Sequence, residues 1–229
     1  MREIVFDTET TGLDPKTGDR MVEIGCIEMV NLVPTGATYH AYFNPERDMP
    51  PEAERVHGLS ATFLSDKPLF RDKAAELLSF LGDAPLVAHN AGFDFGFVDS
   101  ELVLCGYDPL ERTRMVDTVA LAKKKHPGAK LSLDALCTRY GVDRSHRVKH
   151  GALLDAELLA QVYVELTGGR QIGLELAAEV AGEVDRPEQS VRPAPRGPRR
   201  EPRPHSASDA ELAAHRAFLE LIESPLWSG

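Results

Sequence analysis

Asp7 and Glu9 stand two residues apart in Ile4-Val5-Phe6-Asp7-Thr8-Glu9-Thr10-Thr11-Gly12, at the end of an apolar run that reads as a buried strand. Side chains at i and i+2 of a strand share a face, so both carboxylates project together. Held that close, two negative charges repel unless a cation or a proton lies between them. A metal site is the chemistry this pair calls for, and it directs attention to further oxygen donors. Asp94, in His89-Asn90-Ala91-Gly92-Phe93-Asp94, falls where a short strand turns into a helix. Taken alone, an acid there is a favourable charge at the positive end of the helix. Asp155, in His150-Gly151-Ala152-Leu153-Leu154-Asp155, sits among leucines and needs a partner. On one continuous helix His150 would lie about 140° round from Asp155. The two converge only if His150 belongs to the preceding loop, which Gly151 permits.

Four carboxylates (Asp7, Glu9, Asp94, Asp155) with no cysteine or paired-histidine ligands favour Mg²⁺ or Mn²⁺ over zinc. A pair of such ions clamps the attacking and leaving oxygens of an in-line phosphoryl displacement. A histidine titrating near neutrality, here His150, takes the proton from the attacking water. Nuclease chemistry is the expectation.

The elements that must position these groups are legible in the hydrophobic pattern. Strands are expected at Glu3–Phe6, Met21–Val30 and Thr38–Phe43, joined by short turns as an antiparallel meander. Helices are expected at Arg71–Leu81, Phe93–Leu104, Thr118–Lys125, Ser132–Tyr140 and Ala152–Leu166, with a short strand at Pro85–Ala88. Three strands followed by alternating helices and strands indicate one α/β domain with a mixed sheet, closing near Gly168-Gly169. After about residue 182 the composition changes. Glu183–His205 is rich in Pro and Arg and nearly free of large apolar residues, so it reads as an extended tether. Ser208-Asp209-Ala210-Glu211 then has the capping-box pattern of a helix start, with Leu212, Phe218, Leu219 and Ile222 following and Trp227 near the end. Such a segment either folds back on the main domain or docks on a partner; docking is the expectation, because it has little to bury against in its own chain.

The net charge of −10 argues against a protein that grips nucleic acid by bulk electrostatics. The distribution is uneven, however: residues 112–150 hold ten Lys/Arg against three acids, whereas residues 1–111 hold eight against twenty. The basic stretch is open to two readings, a solvated face or a local phosphate-tracking patch. Three cysteines, Cys26, Cys105 and Cys137, form no C-x-x-C pair, which suggests buried thiols in a reducing cytoplasm. The sequence offers no apolar run of membrane-spanning length and enters its first strand without a signal-peptide core, so no membrane partner is expected.

Taken in order, Phe6–Gly12, His89–Asp94 and His150-x4-Asp155 resemble the three motifs of the DEDDh 3′→5′ exonucleases. The likeness extends through Ser132-Leu133-Asp134-Ala135-Leu136-Cys137-x-Arg139-Tyr140 and covers essentially all of residues 2–169. Within that family it is to the epsilon-type proofreading subunits of bacterial DNA polymerase III. The resemblance implies an RNase H-like fold, a mixed five-stranded sheet flanked by helices. It further implies two divalent ions, Mg²⁺ or Mn²⁺, with Asp7, Glu9 and Asp155 holding one and Asp94 completing the second site, and His150 as general base. Glu52 and His57 resemble positions that contact the terminal nucleotide, although His57 by itself reads as a surface turn residue. Thr8 and Thr10 could meet the 3′ end or be structural, and His89 could buttress the acids or be a satisfied core histidine.

The same resemblance divides the chain into an exonuclease domain (1–169), a clamp-binding segment (170–182), a flexible linker (183–207) and a polymerase-binding tail (208–229). Gln171, Ile172, Leu174 and Leu176 are similar to a sliding-clamp docking motif, with Leu176 where Phe binds more tightly. Leu212, Phe218, Leu219, Ile222 and Trp227 fall in the part that would hold the polymerase. The implied partners are a single-stranded or frayed DNA 3′ end, the polymerase III alpha subunit and the sliding clamp beta, with a small third core subunit as a further candidate. The implied setting is the cytoplasm of a bacterium, at the replisome on the nucleoid. Two rivals stay open from sequence: a free-standing exonuclease of the same superfamily trimming RNA or short oligonucleotides, and a non-catalytic nucleic-acid-binding scaffold.

Overall fold

The computed structural model describes residues 1–147, 149–168 and 207–221. They fall into two units, one within Met1–Leu176 and one within Ala177–Gly229. The first unit is built on a five-stranded sheet in the order β3-β2-β1-β4-β5. Strands β1 (Arg2–Thr10), β2 (Met21–Val30) and β3 (Val33–Tyr42) form the expected antiparallel meander, while β4 (Leu86–Ala88) and β5 (Met115–Asp117) run parallel to β1.

Several boundaries differ from the sequence reading for physical reasons. Strand β1 continues through both acids to Thr10, because cross-strand pairing with β2 holds the polar end extended. Strand β3 begins at Val33, although Pro34 and Gly36 weaken its pattern; it is an edge strand, where such residues are tolerated. Helices α1 (Pro51–His57) and α2 (Ala61–Leu64) and strand β5 are too short to impose a period and were not anticipated. The helices α3 (Phe70–Leu81), α4 (Gly92–Leu104), α5 (Thr118–Lys125), α6 (Leu133–Tyr140) and α7 (Ala152–Leu166) lie within a residue of expectation.

Alternation along β1 feeds two cores. Ile4 and Phe6 pack with Phe95, Val98 and Leu102 of α4 and with α3, whereas Val5 packs with Ala156, Leu159 and Val162 of α7. Asp7 and Glu9 lie two and four residues beyond Val5, so they continue the face that α7 covers. Gly25 sets how closely α7 approaches. It pairs with Asp7 across the β1–β2 ladder, and a Cβ built on it would lie 2.3 Å from the backbone Cα and N of Leu153. The missing side chain lets the first turn of α7 rest on the sheet beside the acids.

The second unit contains α8 (Asp209–Leu219), opened by the expected capping box. Ser208 Oγ accepts from Glu211 N at 3.3 Å and Glu211 Oε2 accepts from Ser208 N at 2.8 Å. Leu212 and Phe218 are exposed. The clamp-like segment Gln171–Leu176, the tether Glu183–His205, and Ile222 and Trp227 lie outside the described residues.

Gly25→Ala forces α7 away from β2, since backbone rather than a flexible side chain stands in the way. Thermal unfolding followed by circular dichroism is expected to register a loss of about 1–3 kcal/mol.

Candidate active site

The acids gather at the carboxyl ends of β1 and β4, the edge at which open α/β sheets bind ligands. A cavity of about 270 Å³ there is lined by Asp7, Glu9, Asp94, Asp155 and His150, together with Arg147. Asp7 and Glu9 come from β1, whose register with β2 shifts between Glu9 and Thr10. Asp94 comes from the first turn of α4, delivered by a tight turn after β4 in which Asn90 adopts φ 63°. Asp155 comes from the first turn of α7, with its backbone N–H donating to the Gly151 carbonyl. Gly151 is extended at φ −159°, so His150 precedes the helix on a loop, as the sequence requires.

Three of the carboxylates are deeply buried: Asp94 is 2% exposed, Asp155 3% and Glu9 8%. Loss of hydration raises the pKa of each affected acid, and the neighbouring acids raise it further. Glu9 is pushed up to about 8, first by burial and then by Asp155 and Glu23. Asp94 is pushed up to about 7 by burial, against the opposing hydrogen bond from Thr8 Oγ1 at 2.7 Å. Asp7 is raised by burial and by Asp94, Glu9 and Asp155, with Arg147 opposing. The helix-start benefit expected for Asp94 is thus outweighed by desolvation.

A divalent cation fits these residues. Glu9 Oε1 is buried with no hydrogen-bond partner, an acceptor left free where a cation would sit. One donor atom each from Glu9, His150 and Asp155 lies within 4.8 Å of the others, and Asp7 and Asp94 face the same cavity. The hard carboxylate oxygens of this set suit a divalent ion.

Glu52 and His57 line an adjoining cavity of about 510 Å³ that shares Thr8, Glu9 and Phe93 with the first. His57 is not the surface turn residue it resembles in sequence: at 6% exposure it is buried at the end of α1. Its Nδ1 accepts from Leu59 N at 3.0 Å, its Nε2 has no partner, and burial lowers its pKa. Thr10 Oγ1 is spent locally on the Gly12 carbonyl at 2.6 Å. His89 at the cavity wall is held by Thr118 Oγ1 at 2.9 Å.

Two groups escaped the sequence reading. Glu23 pairs directly with Glu9 across the ladder, is 3% exposed, and its Oε1 lies 2.7 Å from His40 Nε2. An acid inside the apolar run Met21-Val22-Glu23-Ile24 was the available signal. Arg147 stood in the basic stretch as one cation among ten, but it turns inward onto Asp155. Lys123, Lys124 and Lys130 of that stretch are exposed.

A family model described as Exonuclease (RNase_T) matches residues 4–163. The DNA polymerase III subunit epsilon of Salmonella typhimurium is 44% identical over 237 residues, covering 99% of this chain and 97% of the relative. The chain belongs to the DNA polymerase III subunit epsilon family of exonucleases. Another epsilon subunit, from Rickettsia prowazekii, is 57% identical over 174 residues, or 75% of this chain and 76% of the relative. Among solved structures, exonuclease X in complex with 5′ overhanging duplex DNA aligns with a TM-score of 0.58 at 25% identity, covering 72% of this chain and 90% of that one. The zinc-bound Escherichia coli exonuclease I–single-stranded DNA complex aligns at 0.62 and 19% identity over 74% of this chain and 41% of that one, a likeness of fold.

The raised pKa values predict an unusual pH profile for this epsilon-family site. Glu9 and Asp94 bind protons more tightly folded than unfolded, so the folded state holds the excess protons between their ordinary values and about 7–8. In chelator, stability therefore falls as pH rises through that window. Melting temperatures measured across this range are expected to decline in chelator and to flatten with Mn²⁺ present; parallel profiles would contradict the site.

Proposed function

We propose that this chain removes mispaired nucleotides one at a time from DNA 3′ ends as the proofreading subunit of a bacterial replicative polymerase. The observation that carries the reading is the convergence of four carboxylates and His150 in one cavity, with Glu9 Oε1 buried and unpartnered. Asp7, Glu9 and Asp155 would hold one divalent ion, Mg²⁺ or Mn²⁺, and Asp94 would complete a second site. When bound, such ions stabilise negative charge on the attacking and leaving oxygens of the phosphodiester.

The remaining work falls to the chain itself. The adjoining cavity, lined by Glu52 and by buried His57 with its unpartnered Nε2, suits a terminal nucleoside. Phe93 lies between the two cavities and offers an apolar face to a base or sugar. His150, exposed on its loop and with Nδ1 3.3 Å from Asp155 Oδ2, would accept a proton from water. The water oxygen bonds to phosphorus, the P–O3′ bond breaks, the leaving 3′ oxygen takes a proton from solvent, and a 5′-mononucleotide leaves with the shortened strand ending in a 3′-hydroxyl. A mispaired end frays more cheaply than a paired one, which favours errors as substrates.

The tail supports a polymerase partner over a free-standing trimming enzyme. The similarity to the Salmonella epsilon subunit spans 99% of this chain, far beyond the exonuclease match at 4–163. Exposed Leu212 and Phe218 on a capped helix suit docking on the polymerase alpha subunit, with Gln171–Leu176 as a clamp contact and 183–207 as the tether. A small third core subunit fits the same assembly, and the replisome on the nucleoid is its setting. Among the described residues no helix is long and apolar enough to cross a membrane.

Asp7→Ala and Asp155→Ala are each expected to lower Mg²⁺- or Mn²⁺-dependent digestion of 3′-labelled single-stranded DNA by about 10³-fold or more, through loss of the metal clamp. His150→Ala should lower kcat by about 10²–10⁴ with KM little changed. Undiminished digestion by Asp155→Ala would rule the nuclease reading out. For the partner, full-length chain should co-purify with a polymerase catalytic subunit and chain ending near residue 180 should not; equal recovery of both removes the proofreading assignment and leaves the chemistry standing.

A further inference from the structure

Arg147 occupies the place where a cation is wanted. Its Nε donates to Asp155 Oδ1 at 2.5 Å and its Nη2 to Asp155 Oδ2 at 2.6 Å, a two-point fork on a carboxylate that is 3% exposed. Nη1 donates to Asp134 Oδ1 at 2.9 Å, and Nη2 also reaches His150 Nδ1 at 2.8 Å. The Arg147 side chain is itself only 9% exposed. It lies on the segment between α6 and α7 that carries His150. That segment also contacts α1: His150 N donates to Val56 O at 3.3 Å, and the Lys149 side chain covers Gly58.

We propose that Arg147 is a built-in counter-ion that competes with divalent metal for Asp155 and latches the His150 segment to the site until metal loads. The inference rests on the metal-dependent reading given above. Both Asp155 oxygens already accept from the fork, so a metal ion reaching either must share that carboxylate with a fixed cation or displace it. Two cations on one carboxylate also repel at contact distance in a water-poor pocket. Removing the guanidinium without replacement leaves Asp155 buried and uncompensated, which is costly. The same cation engages His150 Nδ1, so releasing it from Asp155 frees the base as well. Arg147 is in this sense a positioning residue, acting through Asp155 and His150.

Calorimetric titration of Mn²⁺ into the full-length wild type, Arg147→Gln and Arg147→Lys tests this, with melting temperatures taken in chelator. Arg147→Gln is expected to bind Mn²⁺ about tenfold more tightly, because a competing charge has gone from the pocket. It should also melt lower in chelator and recover with Mn²⁺. Arg147→Lys should fall between the two, since an ammonium cannot fork the carboxylate. Equal or weaker Mn²⁺ binding by Arg147→Gln overturns the latch. Should that variant not fold, Arg147→Lys decides alone: tighter binding than wild type supports the latch, and equal or weaker binding overturns it. A wild type that binds no Mn²⁺ fails at an earlier step, removing the metal site and the latch together.

Discussion

Negative charge packed into a space with little water is the constraint around which this domain is arranged. Asp7, Glu9, Asp94 and Asp155 converge from three elements, and Glu23 stands behind Glu9. Burial makes Asp7, Glu9 and Asp94 harder to ionise, and the neighbouring acids add to that cost at Asp7 and Glu9. Such a cluster persists only if the surrounding fold is rigid enough to hold it. The cores on either side of the sheet supply that rigidity: Ile4 and Phe6 anchor β1 to α3 and α4, and Val5 anchors it to α7. A strained arrangement of charge is thus held by apolar packing on both faces of one strand.

Precise delivery of Asp155 depends on a residue with no chemistry of its own. Gly25 faces α7 opposite Asp7, and its lack of a side chain allows the helix start to reach the sheet. A close helix brings Asp155 to the acids of β1, and the extended Gly151 just before it keeps His150 off the helix and free to approach. Catalytic geometry and core packing are therefore one problem at this corner of the fold. Arg147 completes it, placing positive charge on Asp155 in the same segment that carries His150.

The division between an acidic body and a basic stretch acquires a structural meaning. Several cations of residues 112–150 have internal partners: Arg112 with Asp99, Arg144 with Asp134, and Lys125 with the carbonyls of Glu165 and Leu166. Exposed Lys123, Lys124 and Lys130 remain for solvent or phosphate. With a net charge of −10, bulk electrostatics do not favour nucleic acid, and any grip on a strand end falls to local cations such as these.

By itself the sequence determined the donors and most of the elements that carry them. Asp7 and Glu9 share a face because of strand geometry, His150 and Asp155 are separated by Gly151, and Ser208 caps α8 through Glu211, all relations settled within a few residues. Three ordered motifs, each local, were enough to indicate the family, and long amphipathic helices declared themselves by period. Tertiary structure alone decided which groups meet across distant segments. Glu23 faces Glu9 only through β-register, His57 is buried only where α1 and the end of β1 wall one cavity, and Gly25 matters only because α7 crosses it. Arg147 is the clearest case: its composition marks a surface cation, and only the fold shows that the cheapest neighbour for a buried carboxylate is that guanidinium.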